Sequence, residues 1–118
     1  MKKIFYSLAI ALVALMVSLP TQAKVQDVSN FDELFYLYYT NSYNSLKINA
    51  NDTIRLAANI TFSDVDDARR GFLQSLQDTR TLDLNGYTLK KTSYHGLPYV
   101  INLLANQTLN ILDSRGGG

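Results

Sequence analysis

The sequence predicts a mainly β protein, built as a short parallel β-helix with an N-terminal capping α-helix and one helical insertion. Residues 81–89 have the pattern of a strand, a tight turn and a second strand. Two imperfect copies flank this stretch, at residues 53–62 and 108–114. Ile54 lies 28 residues before Leu82, and Leu82 lies 27 residues before Leu109. A repeat of this length, with strands at the same place in each copy, is typical of about two stacked coils.

Residues 1–23 predict a secretory signal peptide. Two lysines precede a nearly unbroken apolar run over residues 4–19. Pro20 ends the run, and the small residues after it fit cleavage after Ala23. A membrane anchor is the alternative, but the run is shorter than the roughly 20 residues that span a bilayer. We therefore expect a secreted or cell-surface protein whose domain covers residues 24–118, with no membrane contact after cleavage.

The composition excludes several classes of function. Cleavage would remove 23 of the 118 residues and lower Lys+Arg from 11 to 9 against 10 Asp+Glu, a net charge of about −1. That balance gives no electrostatic footprint for nucleic acid and no polybasic segment for an anionic membrane. The chain has no Cys, which excludes disulfides, thiolate zinc sites and thiol nucleophiles. We predict no cofactor.

Residues 30–43 are predicted to hold the capping helix, with residues 40–42 marking its end. Asn30 can accept a hydrogen bond from an amide of the first turn, and Glu33 can reach back to it. The apolar side chains that follow helical spacing on one face are Phe31, Leu34, Phe35 and Tyr38. A helix of this kind is expected to cover the open end of the first coil.

The capping segment is rich in tyrosine, which allows two interpretations. In the first, Tyr36, Tyr39 and Tyr43 form a platform on which sugars stack, and they are the glycan-contact residues of the protein. In the second, the rings pack over the end of the sheets. Helical spacing of apolar residues indicates core, which favours packing.

The repeat predicts which side chains stack. Equivalent positions on neighbouring strands lie about 4.8 Å apart. The predicted inward rows are Ile54–Leu82–Leu109 and Leu56–Leu84–Ile111. The predicted outward row is Arg55–Asp83–Asn110. Arg55 and Asp83 are expected to form a surface ion pair worth about 0–1 kcal/mol. Asn85 and Gly86 supply the positive backbone angle that a tight corner needs.

Residues 63–77 interrupt the repeat and are predicted to form the helical insertion. Aspartates at positions 64, 66 and 67 suit a helix start, and apolar residues follow on one face. Gly71 weakens this helix by about 1 kcal/mol relative to Ala, and a strand over residues 71–76 is the alternative. Calcium takes 6–8 oxygen ligands, and the three aspartates complete no such loop, so we predict no metal site.

Two motifs resemble a known pattern. LDLNGYTL at residues 82–89 and LNILDSRGGG at residues 109–118 resemble segments near the start of secreted bacterial proteins with a right-handed parallel β-helix of the pectate-lyase-like type. The resemblance covers residues 30–118. It implies a right-handed β-helix and a surface or secreted protein with an adhesive or glycan-contacting role.

The sequence favours a structural or binding role over catalysis. A glycosidase needs two carboxylates about 5–10 Å apart, whereas Asp83 and Asp113 are out of register between the copies, and His95 has no nucleophile at a readable spacing. We expect an exported segment with no catalytic site, with carbohydrate or cell-surface components as partners and self-association through the open last coil. The alternative is the N-terminal part of a polysaccharide lyase or glycoside hydrolase with its active site in further C-terminal coils.

Overall fold

The structure, a computed structural model, describes residues 23–63, 72–92 and 99–118. These residues form one α-helix and ten short strands, so the predicted mainly β class is confirmed. Helix α1 spans Phe31–Thr40. The strands are β1 Val25–Val28, β2 Ser42–Tyr43, β3 Leu46–Lys47, β4 Thr53–Leu56, β5 Ile60–Phe62, β6 Leu73–Gln74, β7 Thr79–Asp83, β8 Leu89–Lys91, β9 Ile101–Asn102 and β10 Thr108–Leu112.

Parallel pairing dominates the sheets of the described residues. The largest sheet has four parallel strands in the order β1-β4-β7-β10, and two smaller sheets pair β5 with β8 and β6 with β9. Strands β2 and β3 form a short antiparallel hairpin. Partners in the parallel pairs are 28 or 29 residues apart, as Thr53 with Thr81 and Ile60 with Leu89. The chain therefore crosses over between each strand and its parallel partner.

The inward row of the four-stranded sheet agrees with the prediction between β4 and β7 and differs from it at β10. Ile54 pairs with Leu82, and both are buried. Leu82 pairs next with Ile111 and not with Leu109, so both predicted inward rows are wrong by two residues in β10. A two-residue shift keeps the same side chains facing inward, because side chains alternate along a strand with a period of two. Leu109 still packs against the core, in register with Arg80.

The outward row also differs from the prediction. In the structure it runs from Asp27 through Arg55 and Asp83 to Leu112, without Asn110. Arg55 pairs with Asp27, at 2.7 Å between Nε and Oδ1 and 3.2 Å between Nη2 and Oδ2. The predicted ion pair of Arg55 with Asp83 is wrong, because Asp83 is buried in a corner and accepts hydrogen bonds there.

The core combines the helix with strands from all three parallel sheets. Its buried residues are Val28, Leu34, Leu37, Tyr38, Ile48, Ile54, Leu56, Ile60, Leu73 and Leu82. Helix α1 packs against β1, β4, β5 and β6, so it touches every parallel sheet. Exposure rises away from it: Leu82 is 1% exposed and its neighbour Ile111 is 57% exposed. The core is closed beside the helix and open at β10.

The predicted N-cap of the helix is confirmed. Asn30 has extended backbone angles, and its side chain accepts a hydrogen bond from the Glu33 amide at 3.0 Å. Glu33 in turn accepts from the Ser29 amide at 3.0 Å. One amide of the first turn, that of Glu33, is thereby satisfied, and the Glu33 side chain reaches back to the residue just before the N-cap.

The predicted end of the helix at residues 40–42 is confirmed, so the helix does not fill the whole predicted segment of residues 30–43. It ends at Thr40, because Asn41 adopts a left-handed conformation with φ of 68°. The Asn41 amide donates to the Leu37 carbonyl, as is usual where a left-handed residue stops a helix. Residues Ser42–Tyr43 form β2 instead of a last helical turn.

The predicted helical insertion falls partly outside the described residues. This applies to residues 64–71, and with them to the three aspartates. Further on, Leu73 and Gln74 form β6 and pair with β9, so a helix reaching residue 77 is wrong and the strand alternative holds at these two positions. His95 and residues 1–22 of the predicted signal peptide also lie outside the described residues.

Corners one repeat apart contact each other. Asn85 and Gly86 have φ of 51° and 79°, which confirms the predicted left-handed corner. The Gly86 amide donates to Oδ1 of Asp113 at 2.7 Å, and the Asn85 side-chain amide donates to the Leu56 carbonyl at 3.1 Å. A Cβ on Gly86 would lie 3.1 Å from the carbonyl oxygen of Gly116. Glycine is therefore required here by backbone angle and by space.

Candidate functional site

Six aromatic side chains form a continuous series of ring contacts where α1 meets β2 and β5. We call this group the aromatic cluster; it comprises Phe31, Phe35, Tyr36, Tyr39, Tyr43 and Phe62. All three predicted glycan-contact residues belong to it. The structure thus brings together the side chains that the sequence singled out, and it adds three phenylalanines to them.

The phenylalanines fix the helix to strand β5. Phe31 stacks on Phe62 with centroids 4.2 Å apart and an interplanar angle of 8°. Phe35 follows at 5.9 Å from Phe31, and Phe62 is 6% exposed. Such aromatic pairs contribute about 0.5–1.5 kcal/mol beyond the area they bury. This half of the cluster is packing, as the second interpretation of the sequence expected.

The tyrosines form the outer half of the cluster. Tyr36 and Tyr43 stack with centroids 5.5 Å apart and an angle of 9°, and Tyr39 stacks on Phe35 at 5.9 Å and 24°. Tyr43 is held by the β2–β3 hairpin, where it pairs with Leu46. Tyr36 is exposed, whereas Tyr39 and Tyr43 are half-buried. Each tyrosine therefore has one ring face against another ring and part of its surface in solvent.

This arrangement presents groups that can bind a ligand. Aromatic faces carry partial negative charge and attract polarised C–H groups, and phenol hydroxyls donate and accept hydrogen bonds. Those are the contacts that a sugar ring needs. Within residues 23–63, 72–92 and 99–118, no three His, Asp or Glu side chains are grouped to hold a metal.

Asp83 accepts hydrogen bonds that hold the corner between repeats. Its Oδ1 accepts from the amides of Asn85 at 2.9 Å and Ser114 at 3.0 Å. Burial acts to raise the pKa of Asp83, but the hydrogen bonds from Ser114 and Asn85 and the charge of Arg55 outweigh it, so the pKa lies below its usual value. A carboxylate held ionised by backbone amides is a structural acceptor.

Asp52 is also a structural hydrogen-bond acceptor, near the other end of the four-stranded sheet. Its two oxygens accept from the amides of Lys24 at 2.9 Å and Asn49 at 2.7 Å. Burial acts to raise the pKa of Asp52, and the bonds from Asn49 and Lys24 bring it below the usual value. Lys24 and Asp52 lie 28 residues apart, so this contact also joins one repeat to the next.

Arg80 is a buried residue that the sequence analysis missed. It is 1% exposed; its Nε donates to the Tyr38 carbonyl at 2.9 Å, and its Nη2 donates to Oδ1 of Asn41. Nη1 is buried with no hydrogen-bond partner among the described residues. The position of Arg80 in the sequence could have indicated its burial. It lies two residues before Leu82, and because side chains alternate between the two faces of a strand, both point to the inward face.

The guanidinium of Arg80 holds the last turn of the helix. Burial lowers the pKa of Arg80, while the nearby Tyr38 acts to raise it. Burial also raises the pKa of the Tyr38 phenol, against the charge of Arg80. A cation at the carboxyl end of a helix interacts favourably with the helix dipole. Arg80 therefore fixes the position of the segment that carries the tyrosines.

Comparisons of the chain with protein-family models, with curated proteins and with solved structures found no match. The resemblance to pectate-lyase-like β-helices therefore stays a prediction. In the part of the chain that the structure describes, no helix has the length and apolar character to cross a membrane.

Proposed function

We propose that the chain is an exported, non-catalytic segment of a right-handed parallel β-helix protein of the surface or secreted kind, and that its helix-capped end contacts carbohydrate. In a β-helix every coil contributes one strand to each sheet, so all sheets share one repeat length. The observation that supports the proposal most is the common interval of 28 or 29 residues in three separate parallel sheets.

Two further features fit the proposed architecture. Parallel strands joined by a crossover are connected in the right-handed sense in about 98% of cases. Helix α1 packs against a strand of every parallel sheet, which is the position that a cap takes in a repeat protein. Gly86 and Gly116, whose corners contact each other, belong to the two sequence motifs that carry the resemblance to pectate-lyase-like proteins.

The carbohydrate role rests on the outer half of the aromatic cluster. The hairpin that holds Tyr43 and the helix that holds Tyr36 bring two rings from separate elements into parallel planes. A rigid aromatic surface loses little conformational entropy when it binds a ligand. The partner we propose is a glycan, recognised by stacking on exposed ring surface and by hydrogen bonds to the tyrosine hydroxyls.

The test measures glycan binding by the exported protein. The full chain is expressed in a bacterial host, and mass spectrometry checks that the exported product begins at Lys24. A microarray of neutral and acidic oligosaccharides identifies ligands, and calorimetry gives their affinities. Tyr36→Ala and Tyr43→Ala are each expected to weaken binding at least about tenfold, which corresponds to 1.4 kcal/mol.

Tyr99 offers a matched control. It is 39% exposed, close to the 37% of Tyr36, but it contacts Phe72 outside the aromatic cluster. Tyr99→Ala is expected to leave glycan affinity unchanged. Absence of binding to every glycan, or equal losses for Tyr36→Ala and Tyr99→Ala, overturns the carbohydrate role.

A further inference from the structure

Strand β10 is the edge of the four-stranded sheet farthest from β1. The Thr108 amide donates to the Asp78 carbonyl at 2.7 Å, and the Leu112 carbonyl accepts from the Leu84 amide at 2.8 Å, so these groups point towards β7. Backbone groups of successive strand residues point to opposite sides. The amides and carbonyls of Leu109 and Ile111 are therefore directed away from β7. We call this side the open edge, because no strand of residues 23–63, 72–92 and 99–118 pairs with it, so that another strand can do so.

The open edge lacks the features that usually prevent pairing. Edge strands are commonly protected by lysine, proline or a bulge, but β10 has the sequence TLNIL, with no charge and no proline. Several large apolar side chains are exposed at this end, namely Leu103, Leu104, Ile111 and Leu112. The net charge is +1 for the whole chain and about −1 after cleavage at Ala23, and either value opposes association of two copies only weakly.

We propose that a second copy of this chain pairs with β10 in an antiparallel arrangement, with the two-fold axis at Asn110. Leu109 then lies opposite Ile111 of the second copy, and Ile111 lies opposite its Leu109. The open-edge groups of these residues form about four backbone hydrogen bonds, since each such pair exchanges two. Asn110 faces its own counterpart in a pair that exchanges no backbone bonds.

The register suits the side chains as well as the backbone. Residues directly opposite each other lie on the same face of a sheet. Leu109 and Ile111 of both copies therefore meet on the inward face, where Ile111 is 57% exposed in a single chain. The inward apolar face continues from one copy into the other, and the same patch serves both partners, as a two-fold interface requires.

Head-to-tail pairing of β10 with β1 of another copy is less favourable. The Lys24 carbonyl accepts a bond from the Thr53 amide, and the Val28 carbonyl accepts one from the amide of Ala57, which directly follows β4. The backbone groups of Val25 and Asp27 therefore face the open side of β1. Asp27 carries a carboxylate in an ion pair, and β1 also packs against α1. An apolar strand therefore has a better match in a second β10 than in β1.

The first experiment uses the absence of cysteine from the sequence. Asn110→Cys places one thiol at the two-fold axis, where opposed Cα atoms lie about 4.5 Å apart, within the range of about 4.4–6.8 Å that a disulfide spans. Mild oxidation of the exported chain at micromolar concentration is expected to give a covalent dimer. Thr53→Cys is the control. Thr53 lies in the same row of the sheet as Thr81 and Asn110, but its strand β4 is paired on both sides, so it cannot face a second copy. It should cross-link at least about tenfold more slowly.

The second experiment blocks the edge itself. Ile111→Pro removes the amide that points to the open side and leaves the bonds to β7 in place. Sedimentation should show the parent chain passing from monomer to dimer with concentration, while Ile111→Pro stays monomeric with an unchanged circular dichroism spectrum. Cross-linking of Asn110→Cys no faster than that of Thr53→Cys, oligomers larger than a dimer, or dimerisation of Ile111→Pro overturns the proposal. None of these results depends on glycan binding.

Discussion

The interior of the four-stranded sheet and its edge at β10 differ in burial although the same kind of side chain occupies both. Leu82 and Ile111 are aliphatic neighbours in one inward row, yet they are 1% and 57% exposed. Leu82 has a strand on each side and the helix beyond β4, whereas Ile111 has a strand on one side among the described residues. Burial in this sheet thus depends on a paired strand lying on each side of a residue, and less on the type of residue.

The strongest test of this difference truncates one side chain in the interior and one at the edge. Leu82→Ala is expected to lower the free energy of unfolding by about 2–5 kcal/mol, because it leaves a cavity in a closed core. Ile111→Ala should cost less than about 1 kcal/mol, since more than half of that side chain is already in water. Urea denaturation of the monomer at low protein concentration measures both values.

Ile54→Ala is the control for this pair of variants. Ile54 is 0% exposed and pairs with Leu82, so its truncation should cost as much as Leu82→Ala. An Ile111→Ala variant as destabilised as Leu82→Ala would show that the end at β10 is covered.

The next test compares two arginines. Arg80→Met leaves the Tyr38 carbonyl and the Asn41 side chain without a donor beneath the helix, at an expected cost of about 1–3 kcal/mol. Arg55→Met breaks a partly exposed ion pair with Asp27, at an expected cost of about 0–1 kcal/mol. Thermal unfolding followed by circular dichroism gives both. Equal costs would mean that Arg80 does not fix the helix.

The smallest expected effect is a dependence on pH. The pKa of Asp83 lies below its usual value in the folded chain, so its contribution is fully present above the unfolded pKa of about 3.9 and is lost as pH falls through the folded pKa. The midpoint of thermal unfolding should be level from pH 7 to 5 and fall below about pH 4.

Asp83→Asn isolates the contribution of this corner. It should lower the unfolding temperature at pH 7 and flatten the decline in acid, because the variant has no carboxylate to protonate between Asn85 and Ser114. An acid decline as steep as that of the parent chain would assign the effect to other groups, such as Asp52.

Local signals in the sequence were sufficient for several features. Asn30 followed by Glu33 specified the helix start through their own hydrogen bonds. Asn85 and Gly86 specified a left-handed corner because few other residues adopt those angles. The pairing of Ile54 with Leu82 followed from the repeat.

The register of β10 could not be read from the pattern. An alternation with a period of two is satisfied equally by Leu109 or Ile111 opposite Leu82, so the length of the turn decides. In the structure that turn includes Asn106, with φ of 66°. The sequence analysis matched the third copy to the central copy by pattern alone and so placed Leu109 opposite Leu82, whereas the structure places Ile111 there.

The geometry of the site also depended on distant contacts. Tyr43 reaches Tyr36 because residues 42–47 form a hairpin, which the sequence analysis did not predict. Arg80 reads as a surface residue from its charge, and its partners, Tyr38 and Asn41, lie 42 and 39 residues away. Side-chain contacts between residues so far apart produce no periodic pattern in the sequence from which they could be predicted.

The corner at Asn85–Gly86 has a consequence for the chemical degradation of the protein during storage. An asparagine followed by glycine is prone to lose its side-chain amide when the glycine nitrogen attacks the side-chain carbonyl carbon, and asparagine is among the residues that heat damages first. In the folded chain the Gly86 nitrogen is engaged by Asp113, and the Asn85 amide by the Leu56 carbonyl. Both reacting groups are held in place by neighbouring repeats. Deamidation at this dipeptide would therefore mark molecules in which these two contacts have opened, and a stored sample would keep a chemical record of that opening.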